Sequence, residues 1–208
     1  MFTYNSVINY VALKLYLIFA AVGGIIGVVL YILRATGIYK MAKSSEINGA
    51  WVAFVPFANV YIFGKIAEKY KNRDGSKSAK FSIILIFMVI ALLIITVTAV
   101  IFSAVAVNKI VVSADYALQN DFDMAPKMLS SLVSVIGLGL LLCVVALIYK
   151  ILYYVALGKI FYSFDCKNAT VFIILSVLFN FMESILLFII RKNKPCFEYG
   201  ERLGFYSL

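Results

Sequence analysis

The sequence predicts an all-α membrane protein, a small helical bundle with three firm transmembrane helices and two broken or re-entrant apolar segments. Three observations carry that expectation. Residues 81–107 form a run of 27 without one charge. As a helix this run reaches ~40 Å, enough to cross a hydrocarbon core of ~30 Å with room to tilt. Of the 208 residues 64% are hydrophobic, and the mean hydropathy of +1.00 belongs to membrane proteins. Lys and Arg, finally, gather at the ends of the apolar runs, where they fix orientation and meet lipid headgroups. Spans and their flanks use most of the chain, so residues 1–208 read as a single integral membrane domain.

The first span is residues 15–33, preceded by Lys14 and followed by Arg34. It is long for a signal h-region, so a signal anchor is the expectation. Ala20 and Gly24, and Gly23 and Gly27, stand four apart on helix faces. Small residues at this spacing let another helix backbone approach closely, and a seam within the chain is expected. Residues 34–48 are polar and basic, as for a helix emerging into headgroups. Residues 49–67 are apolar but carry Pro56 and Asn59 in the middle and Lys65 near the end. Pro56 removes a backbone donor and disfavours helix at Val55. The stretch is therefore expected to dip and return, with Trp51 and Tyr61 as headgroup-level anchors.

The second span is residues 81–107, and the connection after it, 108–127, is the acidic one, with Asp115, Asp121 and Asp123. The third span is residues 128–149. It is expected to continue as one helix past Lys150, with Tyr149, Tyr153 and Tyr154 as interface anchors and Lys150 snorkelling. Residues 169–190 form the last apolar segment, interrupted by Asn180 and Glu183.

Charge sets the expected topology. Residues 34–80 hold nine Lys/Arg and residues 108–127 hold two, which puts the 34–80 loop in the cytoplasm and the N-terminus outside. If residues 169–190 dip and return, sixteen Lys/Arg lie inside and three outside; if they cross as a fourth span, the division is twelve and seven. Charge favours dipping and length favours crossing. The order of features also leans to dipping, because 15–80 and 128–194 read as a loose parallel repeat: long span, basic aromatic stretch, broken apolar segment.

Residues 39–67 contain Tyr39, Lys40, Met41, Ala42 and Lys43, then Ala50, Trp51, Ala53, Phe54, Pro56, Asn59, Tyr61 and Gly64. This pattern resembles one that recurs in small, largely uncharacterised polytopic membrane proteins of Gram-positive bacteria. The resemblance implies a bacterial cell membrane and carries no activity.

Few residues suggest chemistry. The chain has no histidine, which removes the commonest general base and metal ligand. Cys143, Cys166 and Cys196 form no CxxC pair and read as free thiols. No nucleophile motif or P-loop occurs, and no cofactor or metal is expected. The net charge of +9 is read as membrane-flanking, facing anionic lipid on the cytoplasmic side, not nucleic acid. Glu183 is the leading polar candidate, with Asn180 three residues before it and Asn59 as a counterpart in the other broken segment. A carboxylate in an apolar segment costs ~2.5–3.5 kcal/mol on insertion scales, so it is expected to face protein or water. The expected function is a non-enzymatic accessory or assembly subunit bound to other membrane proteins. The alternatives are a small transporter or channel that uses the broken segments and Glu183, and a lipid-modifying enzyme.

Overall fold

The computed structural model describes residues 2–70, 80–117 and 125–195, with the side chains of 2–10, 12 and 109–132 left aside. Asp121, Asp123 and Cys196 and the side chain of Asp115 lie outside the described part. The described residues are helical and contain no strand. Three helices are long and apolar enough to cross a membrane: Leu13–Ser44, Phe81–Asn108 and Val133–Phe164. The chain is a multi-pass membrane protein.

Helix α1 runs unbroken from Phe2 to Ser44. It holds no proline, so nothing stops it at Arg34, and the basic stretch continues as helix. It ends where Glu46 and Gly49 take left-handed backbone, at φ 52° and 81°. A short 3-10 turn follows, Ala50–Phe54, and Val55 is extended at φ −85°, ψ 122°, as a residue before proline must be. Helix α2, Asn59–Glu68, restarts after Pro56. Helix α3 spans Phe81–Ala117, and helix α4 is one continuous element, Ala125–Phe164, passing straight through Lys150. The last apolar segment splits into α5, Ala169–Leu178, and α6, Met182–Ile190, with Phe179 extended between them at φ −125°, ψ 98°.

Both broken segments turn back along a long helix. The Lys69 ammonium at the end of α2 donates to the Ser45 carbonyl just past the end of α1. Midway, Tyr31 of α1 donates to the Phe54 carbonyl at 2.9 Å. In the second half the Asn193 amide donates to the Phe164 carbonyl at 3.1 Å, so the chain leaves the segment where it came in. At the far end Asn180 lies against Lys150, 3.4 Å away. Tyr31 to Ser45 and Lys150 to Phe164 each span fourteen residues, so both segments reach back about 20 Å. Helix α5, with ten residues, covers only ~15 Å. Residues 169–190 thus turn back along α4 and end at the level where they began.

The core occupies the same 20 Å. Ile38 and Met41 of α1, Phe63 and Ile66 of α2, Leu85 of α3, Phe161 and Phe164 of α4 and Leu187 of α6 are fully buried. Two glycines permit it. A Cβ on Gly37 would stand 2.8 Å from the Leu187 carbonyl oxygen, and one on Gly64 would stand 2.4 Å from the Ser82 Cα. There α6 and the start of α3 touch bare backbone.

The expected seam within the chain does not form among the described residues. Nothing lies within 4 Å of a Cβ at Gly23, Gly24 or Gly27, and Ala20 is exposed with every other residue from 13 to 29. The reason is length: the broken segments cover α1 only from about Leu30 onward, and the preceding part outruns them. Tyr153 also departs from expectation. It is no interface anchor but is 3% exposed, because α2 covers that face of α4 and Phe63 stacks on its ring at 4.7 Å and 7°.

Candidate functional site

Helix periodicity assembles the site from three elements. Gly27, Leu30, Tyr31 and Arg34 fall at i, i+3, i+4 and i+7 of α1, on one face. Tyr149, Lys150 and Tyr153 bring one face of α4 to the same place. Between them comes the break before α6, carrying Asn180, Phe181, Glu183 and Ser184. Together these residues line a cavity of about 540 Å³. Non-helical backbone within a membrane protein must be covered or line a cavity, and the 179–181 break lines one.

Glu183 sits in the first turn of α6 and is 6% exposed. Its Oε1 stands 3.4 Å from Arg34 Nε and accepts a hydrogen bond from the Tyr153 hydroxyl. Arg34 Nη2 in turn donates to the same hydroxyl at 2.9 Å. The three groups close a triangle, and Tyr153 both accepts and donates within it. The guanidinium also lies 5.5 Å from the Tyr153 ring centroid, a cation–π approach. A charge this enclosed is tolerable only when paired and hydrogen-bonded. Arg34 Nε makes the ion pair without hydrogen-bond geometry, and Nη1 has no polar partner among the described residues.

Around the triangle the donors are less committed. Lys150 is exposed, at 3.4 Å from Asn180 Oδ1 and 5.8 Å from the Tyr154 ring centroid. Tyr149 touches Tyr153 ring to ring at 5.9 Å, while its hydroxyl has no partner among the described residues. The Tyr154 hydroxyl is tied to the Ser176 carbonyl at 3.4 Å.

Glu183 and Asn180 therefore share one cavity, although Asn180 lies in the break and not on the helix with Glu183. Asn59 is buried in the first turn of α2 and does not line the cavity. Trp51 is 67% exposed on the 3-10 turn, and Tyr61 is half-buried with Lys65 Nζ 4.6 Å from its ring centroid. The central residue that sequence reasoning passed over is Arg34, taken as the start of a polar stretch. The available signal was that a carboxylate inside an apolar segment needs a cation. Among the described residues no three of His, Cys, Asp and Glu gather to hold a metal. No protein-family model, curated protein or solved structure matches the chain.

Proposed function

We propose that this chain is a non-enzymatic multi-pass protein of a bacterial cell membrane and serves as an accessory or assembly subunit of a membrane complex. The observation that carries the reading is the bare half of α1. Residues 13–29 are all exposed, and they present Ala20, Gly23, Gly24 and Gly27 at close-packing spacing. Lipid tails are as apolar as Leu, so helices associate in membranes through close van der Waals packing, which small residues allow. The tied Arg34–Tyr153–Glu183 triangle also favours a structural over a catalytic role for the buried carboxylate.

The same reading has residues 34–80 in the cytoplasm, facing anionic lipid, and the N-terminus outside, supported by nine Lys/Arg in 34–80. The residues 39–67 pattern supports the bacterial setting. The twice-used order of long helix then broken segment supports a loose parallel repeat, 15–80 and 128–194.

The test is purification from native membranes in mild detergent, beside a Gly24→Leu variant, a position on the same bare stretch that does not line the cavity. The expected result is a membrane protein held in fixed stoichiometry by the wild-type chain and lost from the variant. A wild-type chain that purifies alone, as a monomer, defeats the reading. One observation favours a second reading, transport: the cavity opens at a helix break, as substrate sites in transporters do. Solute flux into liposomes containing this chain alone would establish that reading instead.

A further inference from the structure

The polar cavity is richer in donors than its own acceptors can use. Its lining holds two cations, Arg34 and Lys150, against one carboxylate, Glu183. Glu183 is already engaged by the Tyr153 hydroxyl and Arg34 Nε. Arg34 Nη1, the Tyr149 hydroxyl and the Ser184 hydroxyl have no polar partner among the described residues, and Lys150 has only a long contact to Asn180 and a distant approach to the Tyr154 ring. Such a set is complementary to an anion with several oxygen acceptors. A guanidinium edge, an ammonium and two hydroxyls match a phosphate, where charge-assisted hydrogen bonds are the strong ones.

The level of the cavity along the helices adds the second half of the argument. Residues 15–33 of α1 and 128–149 of α4 carry no charge. As helix they measure ~28 and ~33 Å, close to the ~30 Å of a hydrocarbon core. Arg34 and Lys150 end these runs on the same side, and both line the cavity. Toward the middle of the membrane the lining becomes Gly27 and Leu30, which are apolar, and Gly27 has open space where a Cβ would be. Polar at the boundary and apolar inward is the profile of an amphiphile.

We propose that the cavity between α1, α4 and the break before α6 binds the phosphate of an anionic lipid, with Arg34 and Lys150 at the headgroup and the Gly27–Leu30 face along an acyl chain. The site does not depend on the subunit reading, because it is complete within one chain.

The experiment uses the full chain, purified in a neutral detergent. Its thermal unfolding is followed on titration with phosphatidylglycerol, phosphatidylcholine or inorganic phosphate. Native mass spectrometry of the same samples counts retained lipid. Phosphatidylglycerol should raise the unfolding temperature and stay bound one per chain, and phosphatidylcholine should do neither. Lys150→Gln should weaken the phosphatidylglycerol effect about fivefold, the value of one cation near a membrane surface. Ser184→Ala, which alters no charge, should weaken it as well. Exposed Lys40, away from the cavity, is the control, and Lys40→Gln should change nothing. Equal protection by phosphatidylcholine, or a Lys150→Gln variant that responds like the wild type, overturns the site. An effect of Lys40→Gln equal to that of Lys150→Gln, with none from Ser184→Ala, reduces it to diffuse attraction and overturns it too. Full protection by inorganic phosphate alone would replace the lipid with a soluble anion.

Discussion

The Asn193 side chain bonds the Phe164 carbonyl at 3.1 Å, and this one contact closes the second broken segment into a loop that begins and ends at the same level. Lys69 and Ser45 do the same for the first. Two half-length segments thus pack from one side onto three long helices.

This geometry predicts accessibility. In a chain freed of its own cysteines, Glu46→Cys, Lys80→Cys and Lys192→Cys should all react with an impermeant thiol reagent from the same side of the membrane. The three positions are exposed and flank the two segments. Reaction of position 192 from the side opposite to position 46 would mean that residues 169–190 cross.

The triangle of Arg34, Tyr153 and Glu183 predicts an ordered set of losses. Glu183→Leu strands the guanidinium and should cost about 3–5 kcal/mol, enough to impair assembly. Glu183→Gln keeps the shape and an acceptor for Tyr153, so it should fold. Tyr153→Phe keeps the stack on Phe63 but removes the hydroxyl both charges use, at about 1–3 kcal/mol. Thermal unfolding in detergent measures all three, and a Glu183→Leu chain as stable as wild type would refute a structural role. Should Glu183→Gln fold normally yet abolish cellular activity, the carboxylate has a coupling role.

The glycines divide into two kinds. Gly64→Ala drives a methyl to 2.4 Å from the Ser82 Cα, and Gly37→Ala drives one to 2.8 Å from the Leu187 oxygen. Both neighbours are backbone and cannot rotate away, so each change should destabilise the purified chain by about 1–3 kcal/mol. Gly24→Ala, with open space around it, should be neutral in the isolated chain. Equal effects at positions 24 and 64 would refute the packing at α2 and α3.

Ser45 is 2% exposed, and its hydroxyl has no partner among the described residues. Its backbone carbonyl still accepts from Lys69, and its N–H donates to the Met41 carbonyl at 3.0 Å. Ser45→Ala keeps both bonds and removes a buried group that lost its water. The variant should be as stable as wild type or more so, by up to about 1 kcal/mol. A clear loss of unfolding temperature would reveal a partner for the hydroxyl.

Much of this fold was legible in the chain, because its strongest signals are local. An uncharged run reads as a span from its own length. Pro56 announces its interruption from its own chemistry, and Asn180 and Glu183 stand out because polar groups in apolar sequence are costly. The pairing of Arg34 with Glu183 was not legible, since no period links residues so far apart. Gly37 and Gly64 were missed for a related reason: each is a single small residue, and only the arrival of another backbone gives it meaning. Gly23 and Gly27 had the spacing, but spacing says that a face can be approached, not by what. Tyr153 read as part of a belt because Tyr149 and Tyr154 flank it, and α2 then covered that face.

The Arg34–Glu183 pair also has a consequence in time. A ribosome makes residue 34 roughly 150 residues before residue 183, which at ~5–20 residues per second is an interval of roughly 8–30 s. Throughout that interval the guanidinium at the end of the first apolar run has no carboxylate from α6. Helices α1, α3 and α4 are all synthesised before it arrives. Docking of α6, with its Leu187 backbone against Gly37, therefore follows synthesis of the three long helices, and a nascent chain stopped short of residue 183 holds Arg34 without this carboxylate.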